Sequence, residues 1–307
     1  MSAKLEHAAS EERLNGARDV AASLLATPLV PLFLSAVLFG VMAVGVRVAA
    51  RDMGALQVAF FRFAGSFLVL LVTGRGRGLR PRPGNLPRVL LRGLIGGCAI
   101  SLYFVGIAGA GAGLASLLQS TYPVFAALLA SALLGERFTA RLATAIALNF
   151  AGALLVLGFE LRLGPSATLG MLAALGAAVL SGGAIVTARH LRGSENATLI
   201  TTYFMAVGAV LTSPSLAAGL PAADAHLVAA LAVVVLTSVA AQWLLHHALG
   251  FVTAAQASLV AATGVVTAAT LEAEWFGETL HPGTIAGGTL MLVAVYLASR
   301  AKPAPVA

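Results

Sequence analysis

Long apolar runs recur along the chain, and each is long enough to cross a lipid bilayer. A transmembrane helix needs about 20 predominantly apolar residues, and its backbone groups must be satisfied by helical hydrogen bonds inside the hydrocarbon core. Gly, Pro and Arg separate the runs into ten predicted spans, namely residues 29–49, 56–73, 88–109, 113–134, 141–158, 168–188, 197–216, 226–247, 253–275 and 281–299. The connections are short and leave little room for a soluble domain. We therefore predict an all-α polytopic membrane protein with ten transmembrane helices.

The composition supports a membrane protein and excludes an ordinary soluble domain. Hydrophobic residues make up 59% of the chain and charged residues only 10%, whereas soluble domains are about 45–50% apolar and about 25% charged. The net charge is +7, but the arginines are clustered between spans and form no basic face or tail. This charge distribution predicts a membrane orientation and not a nucleic-acid partner.

Positive residues are distributed unequally between the two sides of the membrane. If both termini are cytoplasmic, the inner side carries Arg75, Arg77, Arg80, Arg82, Arg88, Arg137, Arg141, Arg189, Arg192, Arg300 and Lys302. The outer side then receives only Arg47, Arg51 and Arg162. Because positive residues favour cytoplasmic loops, we predict a cytoplasmic arm at residues 1–27 and a cytoplasmic tail at residues 301–307.

An internal repeat relates the two halves of the chain. The stretch ASLLQSTYPVFAALLA, residues 115–130, returns without a gap as ASLVAATGVVTAATLE, residues 257–272. The same displacement carries span four onto span nine, span five onto span ten and GERF onto GETL. Five spans per repeat is an odd number, so the second repeat must be inverted. We predict repeats at residues 28–160 and 165–300 around a central cavity, as in secondary transporters; internal packing symmetry without transport is the alternative.

The two copies diverge in the middle of the repeated stretch. Residues with functional potential in the first copy, Gln119, Tyr122 and Pro123, are replaced by Ala261, Gly264 and Val265 in the second. A proline within a helix removes a backbone donor and favours a kink. We predict a binding wall in the first copy and a packing helix in the second, with hinges at Pro123 and Gly264. Polar side chains that only hold helices together are the alternative.

Arg62 lies deep within span two, where a charged side chain is costly and usually turned inward. It is either an anchor for an anionic or carboxylate-bearing substrate or a tie between helices. Further substrate-binding candidates in other spans are Tyr103, Gln242, Trp243 and His246. Gln242 and His246 share a helix face by their spacing, whereas Trp243 is equally suited to an interfacial anchor.

The distribution of acidic residues argues against metal and proton chemistry. The histidines of span eight have no Cys, Asp or Glu at ligand spacing, so we predict no metal site and no cofactor. Spans one to eight contain no mid-membrane Asp or Glu, which makes a central carboxylate relay doubtful.

Several ordered motifs carry a resemblance to a known family. They are LFGVMAVGVRVA in span one, LQVAFFRFAGSFLVLL in span two, LYFVGIAGAGAGLASLLQSTYPVFAALLASALLGE across spans three and four, and the later FGE. With them the chain resembles the ten-helix EamA-type members of the drug/metabolite transporter superfamily, and is similar to bacterial exporters of amino acids, including aromatic ones. The resemblance implies two inverted five-helix repeats around a central cavity in a bacterial-type inner membrane.

The predicted function is export of small metabolites by alternating access. With Tyr, Trp, Gln and at most one Arg turned inward, the cavity suits a neutral or zwitterionic solute, and amino acids are the first choice. Nucleotide-linked sugars or drugs are the alternative within the superfamily. An intramembrane lipid-modifying enzyme is the alternative from another class, but the chain has no DxxD-type cluster and no nucleophile with a nearby base. We predict a monomer or a weak homodimer.

Overall fold

The computed structural model describes residues 29–73, 79–110, 115, 118–157, 165–222, 224–276 and 282–299, and every regular element among them is a helix. The α-helices are α1 Leu29–Ala49, α2 Ala55–Val72, α3 Leu86–Ala110, α4 Tyr122–Leu134, α5 Ala140–Leu157, α6 Pro165–Leu191, α7 Ala197–Thr212, α8 Ala225–Ala248, α9 Ala254–Ala262, α10 Gly264–Phe276 and α11 Pro282–Ser299. A short 3₁₀ helix, Ser213–Ala218, follows α7. The predicted arm at residues 1–27, the tail at residues 301–307 and Glu278 of GETL lie outside the described residues.

Helix length and apolar character agree with the predicted spans. Eight helical segments of the described chain are long and apolar enough to cross a membrane, and Tyr122–Leu134 and Ala140–Val156 are shorter apolar helices. The all-α polytopic fold with two inverted five-helix repeats is thereby confirmed. Spans four and nine are interrupted: α4 follows two turn residues at 120–121, and Thr263 separates α9 from α10. Pro123 lies in the first turn of α4, and Gly264 begins α10.

Side-chain caps define several helix starts. Asn196 accepts a hydrogen bond from Leu199 N at 2.8 Å to begin α7. Asp224 does the same for Leu227 N at 2.7 Å at the start of α8. Such caps satisfy backbone N–H groups that have no partner within the helix. The last residue of each of these connections thus caps the helix that follows it.

The two repeats interlock through equivalent contacts. Helix α1 packs on α8 and α10, and its counterpart α6 packs on α3 and α4. A Cβ atom at Gly40 of α1 would lie 2.6 Å from Thr267 Cβ and 2.9 Å from Ala268 N of α10. A Cβ atom at Gly182 of α6 would lie 2.8 Å from Phe125 Cβ and 2.7 Å from Ala126 N of α4. The displacement that carries Ala115 onto Ala257 also carries Gly40 onto Gly182, Phe125 onto Thr267 and Ala126 onto Ala268.

At one end of the bundle, loops from both repeats are joined by polar contacts. Both carboxylate oxygens of Glu136, in the loop after α4, accept hydrogen bonds from Ala254 N at 3.3 and 3.2 Å. Arg189 Nε lies 3.7 Å from Glu136 Oε1, and Arg189 Nη1 donates to Leu249 O at 2.9 Å. Burial raises the pKa of the Glu136 carboxyl, although the Ala254 N–H and Arg189 oppose this shift.

Other contacts bring the loop before α3 to the same end. Asn85 Nδ2 donates to Ser194 Oγ at 2.9 Å and to Glu195 Oε1 at 2.7 Å, and Arg82 N donates to the same carboxylate oxygen at 2.7 Å. The structure therefore gathers at this end the described members of the arginine-rich loops assigned above to one side of the membrane.

Candidate functional site

A central cavity of about 300 Å³ lies between the two repeats. Its described lining comes from α1–α4 and the turn before α4 in the first repeat, and from α6–α10 in the second. The volume is at the lower end of the range for small-molecule sites, about 300–1,000 Å³. Most of the lining is apolar, so the few polar side chains dominate its chemistry.

Most of the predicted substrate-binding residues reach this cavity. Arg62, Tyr103, Gln119, Tyr122, Gln242 and the predicted hinge Gly264 are among its lining residues. His246 is fully buried behind the wall and contacts lining residues. Trp243 is not among the lining residues; its indole N–H donates to Thr198 Oγ1 of α7 at 3.0 Å, and its ring stacks on His247 at 5.3 Å between centroids. We therefore leave Trp243 out of the candidate site.

Arg62 connects two helices and also lies in the cavity wall. Its side chain is 2% exposed, and its Nε donates to Ser238 Oγ of α8 at 2.8 Å, so it ties α2 to α8. It also belongs to the cavity wall. Since Ser238 is a neutral partner, the tie holds the guanidinium in place without cancelling its charge.

Arg92 is a second inward arginine that sequence reasoning missed. It is 3% exposed, lines the cavity, and places its guanidinium carbon 4.5 Å from the centre of the Phe204 ring. Its Nη2 lies 3.0 Å from His246 Nε2, while Nε and Nη1 have no hydrogen-bond partner. Its position inside predicted span three could have indicated an inward side chain. It was instead grouped with the many arginines of the nearby loop.

The hydrogen bonds of His246 define its protonation state. Thr201 Oγ1 donates to Ala197 O at 2.8 Å, so it must accept from His246 Nδ1, which lies 2.8 Å away. Arginine can only donate, so His246 Nε2 accepts from Arg92. Gln242 Nε2 lies 3.2 Å from the same ring nitrogen and supplies a second donor. His246 is therefore a neutral imidazole and leaves the charge of Arg92 uncompensated.

One face of α8 supports both arginines. Ser238, Gln242 and His246 follow one another at four-residue spacing, which places them on the same face of the helix. Ser238 contacts Arg62 and His246 contacts Arg92. The predicted pairing of Gln242 with His246 is present in this polar stripe.

Gln119 and Tyr122 make contacts that hold helices together and also lie in the wall. Gln119 Nε2 donates to Ser181 Oγ of α6 at 2.8 Å, but its buried Oε1 has no partner. The Tyr122 hydroxyl donates to Ser258 O of α9 at 2.6 Å. The phenol hydroxyl is thus occupied by an interhelical bond, whereas the carbonyl oxygen of Gln119 is a buried acceptor without a hydrogen-bond partner.

The second copy of the repeated stretch, which was predicted to be a packing helix, lines the cavity as well as packing on α1. Ala261, Ala262, Gly264, Val265 and Ala268 contribute to the lining. Gly264 additionally permits a close helix approach, since a Cβ atom there would lie 2.6 Å from Ala36 O. Small residues therefore make one wall of the cavity and bring α10 against α1 at the same time.

The cavity carries a positive charge. Arg62 and Arg92 both line it, and no Asp or Glu is among its lining residues in the described ranges. At most one inward arginine was expected from the sequence, and the described lining contains two. Within the described part of the chain, no group of three or more His, Cys, Asp or Glu residues could hold a metal ion.

Comparisons with known proteins agree with this architecture. Residues 27–158 and 168–300 match the family model of the EamA-like transporter family. The pseudopaline exporter CntI, from two strains of Pseudomonas aeruginosa, is 28% identical over 134 residues, which cover 44% of this chain and 47% of CntI. The match thus spans about half the length of these curated relatives. One protein crystal structure superposes with a TM-score of 0.74 at 18% identity, covering 89% of this chain and 96% of that one, and shows the same fold.

Proposed function

The chain belongs to the EamA-like transporter family and is a multi-pass membrane transporter of small molecules, and we propose that it exports carboxylate-bearing metabolites of the amino-acid class by alternating access. The observation that carries this proposal is the cavity guanidinium of Arg92, with two nitrogens lacking a partner. A carboxylate is the natural ligand for a guanidinium, because it accepts two parallel hydrogen bonds and cancels the charge.

The surroundings of the cavity support a role in transport. The cavity lies between inverted repeats, where secondary transporters bind their solutes. Interrupted helices border it on both sides, with Tyr122 at the start of α4 and Gly264 at the start of α10. We propose that the repeats, residues 28–160 and 165–300, move against each other at these interruptions and expose the cavity to either side in turn.

The orientation proposed from the sequence is cytoplasmic for both termini, in a bacterial-type inner membrane. It is supported by the arginine-rich loops that meet near Glu136 and Arg189 at one end of the bundle. Export as the direction of transport draws on the similarity to CntI, which is named as an exporter.

We further propose that the protein acts as a monomer or a weak homodimer. Small residues that could mediate dimers are used inside the bundle. A Cβ atom at Gly97 would lie 2.6 Å from Leu211 Cδ1, and one at Gly152 would lie 2.6 Å from Gly287 O. Close packing through small residues thus joins helices of the same chain.

Counterflow in proteoliposomes tests the proposed function. Vesicles loaded with an unlabelled amino acid should accumulate the labelled one, and Arg92→Gln should abolish this exchange. Arg88→Gln is the matched control, since Arg88 is exposed one turn earlier in the same helix. Exchange of nucleotide-linked sugars, but of no amino acid or other carboxylate, would support the alternative substrate class. Absence of exchange with all of these solutes would contradict the proposal.

A further inference from the structure

Two buried guanidinium groups share one cavity wall and are held by the same helix. Arg62 is bound through Ser238 and Arg92 through His246, and these supports are eight residues apart on α8. With a rise of about 1.5 Å per residue, the supports are separated by about 12 Å along the helix axis. The two arginines are therefore held at different levels of α8.

Neither cation is compensated within the described cavity. Ser238 and His246 are neutral partners, and the described lining contains no carboxylate. Both guanidinium groups line the same cavity, so they act on each other as like charges. Two uncompensated charges of the same sign are unfavourable in a low-dielectric interior, so this arrangement favours a ligand that supplies negative charge at both positions.

The unused hydrogen-bonding groups add a second requirement. Arg92 Nε and Nη1 are donors without a partner, and Gln119 Oε1 is an acceptor without a partner. Burying such groups without hydrogen bonds is costly. These three atoms are buried in this state, so a ligand reaches them when the repeats move; it then offers acceptors to Arg92 and an N–H group to Gln119.

Gly96 makes room for the Arg92 head group. A Cβ atom at this position would overlap Arg92 Nη1 and would lie 2.7 Å from Phe204 Cε2. The absence of a side chain at Gly96 therefore lets the guanidinium lie between its own helix and the Phe204 ring. Both arginines belong to built positions in the wall.

We propose that the transported solute is an amino dicarboxylate: one carboxylate opposes Arg92, a second opposes Arg62, and an amino N–H group bonds to Gln119 Oε1. This inference rests on the proposed function and narrows its substrate class. A monocarboxylic amino acid compensates one arginine only, and its ammonium group adds another positive charge. A second carboxylate opposes the other arginine and halves the net positive charge that remains when the solute is bound.

Matched pairs of ligands test the proposal on the purified wild-type protein. L-Glutamate and L-glutamine have nearly the same shape, but glutamine replaces the second carboxylate by an amide. L-Aspartate, L-2-aminoadipate and L-2-aminopimelate vary the distance between the carboxylates, and glutarate lacks the amino group. Affinity is measured as the concentration dependence of the thermal shift, because a ligand stabilises the folded state according to its concentration over its dissociation constant.

We expect at least one amino dicarboxylate of the series to bind about tenfold or more tightly than its monoamide or monocarboxylic counterpart, as expected for one charge-assisted contact. Glutarate should bind more weakly than glutamate. Arg62→Gln and Arg92→Gln should each bring the affinity ratio of dicarboxylate to amide close to one. Arg62→Lys and Arg92→Lys, which keep the charge, should preserve part of this ratio, and Arg88→Gln should leave it unchanged.

The outcomes separate this inference from the proposed function. If monocarboxylic amino acids bind as tightly as every dicarboxylate and exchange in proteoliposomes, the dicarboxylate inference is wrong and the proposed function stands. If no amino acid or other carboxylate binds or exchanges, both are wrong. The wild-type comparison decides the first point even if an arginine variant fails to fold.

Discussion

Thr121 and Thr263 interrupt their helices with the same set of hydrogen bonds. Each threonine hydroxyl donates to a carbonyl three residues earlier at 2.6 Å, Thr121 to Leu118 O and Thr263 to Val260 O. The backbone N–H groups donate to the same carbonyls at 3.1 and 3.0 Å. Since the repeat displacement carries Thr121 onto Thr263, the interruption belongs to the repeat and not to Pro123, which has no counterpart in the second copy.

The first prediction concerns the origin of these interruptions. Pro123→Ala should lower the transport rate by no more than about threefold, because Thr263 interrupts its helix without a proline. The double variant Thr121→Val/Thr263→Val removes both hydroxyl hydrogen bonds and should reduce transport more strongly, by about thirtyfold if each bond contributes about 1 kcal/mol to the interrupted geometry. Initial rates of counterflow at equal protein content measure both effects. A larger loss in Pro123→Ala than in the double variant would assign the break to the proline.

Close helix approach gives a second prediction. Gly182→Ala should lower the free energy of unfolding by about 1–3 kcal/mol, the cost of overpacking, because its Cβ atom would meet Ala126 N at 2.7 Å. Gly176→Ala in the same helix is the control, since its Cβ atom would only reach Leu102 Cδ1 at 3.5 Å. There the better helix propensity of alanine should leave stability unchanged or higher. Thermal unfolding in detergent measures the difference, and equal stability of the two variants would contradict the interlocking contact.

Tyr122 allows packing and binding to be separated. Tyr122→Phe removes the hydrogen bond to Ser258 O and should cost about 1 kcal/mol of stability, with little change in ligand affinity. Tyr122→Ala also removes the ring from the cavity wall and should weaken binding by about 1–2 kcal/mol. Thermal stability without ligand and the ligand-induced shift report the two effects. Loss of affinity in Tyr122→Phe would show that the hydroxyl itself contacts the solute.

Glu136 provides a prediction outside the cavity. Glu136→Ala leaves Ala254 N–H without its acceptor and should destabilise the protein by about 1–3 kcal/mol, whereas Glu136→Gln retains a neutral acceptor and should cost less. The order is checked by thermal unfolding at neutral pH. Equal destabilisation by both variants would instead make the ion pair with Arg189 the more important contact.

The same carboxyl group should make stability depend on pH. Its pKa is raised in the folded protein, so protonation favours folding, and its contribution to stability should decrease as the pH rises from the ordinary pKa of 4.5 through the raised value. The stability of the wild type relative to Glu136→Gln should therefore fall with increasing pH in this window and stay constant above it. An increase over the same window would contradict the raised pKa.

The spans and their inverted arrangement could be predicted from the sequence. A run of about 20 apolar residues has few stable alternatives to a membrane helix, because the bilayer offers no hydrogen bonds to the backbone. An odd number of spans per repeat then requires inversion. The inward position of Arg62 could also be predicted from the sequence, because a charge deep in an apolar span is costly against lipid.

The composition of the cavity wall was decided by tertiary packing. Near a helix end, an inward arginine such as Arg92 resembles the loop arginines in sequence, and only the position of Gly96 and His246 shows where its guanidinium lies. Trp243 and Gln242 are adjacent in the chain, yet only Gln242 lines the cavity, because the rotation of α8 is set by its contacts with α1, α2 and α7. Apolar periodicity is a poor guide to such rotations when lipid and protein interior are both apolar, so neighbouring helices determine which face of each span meets the solute.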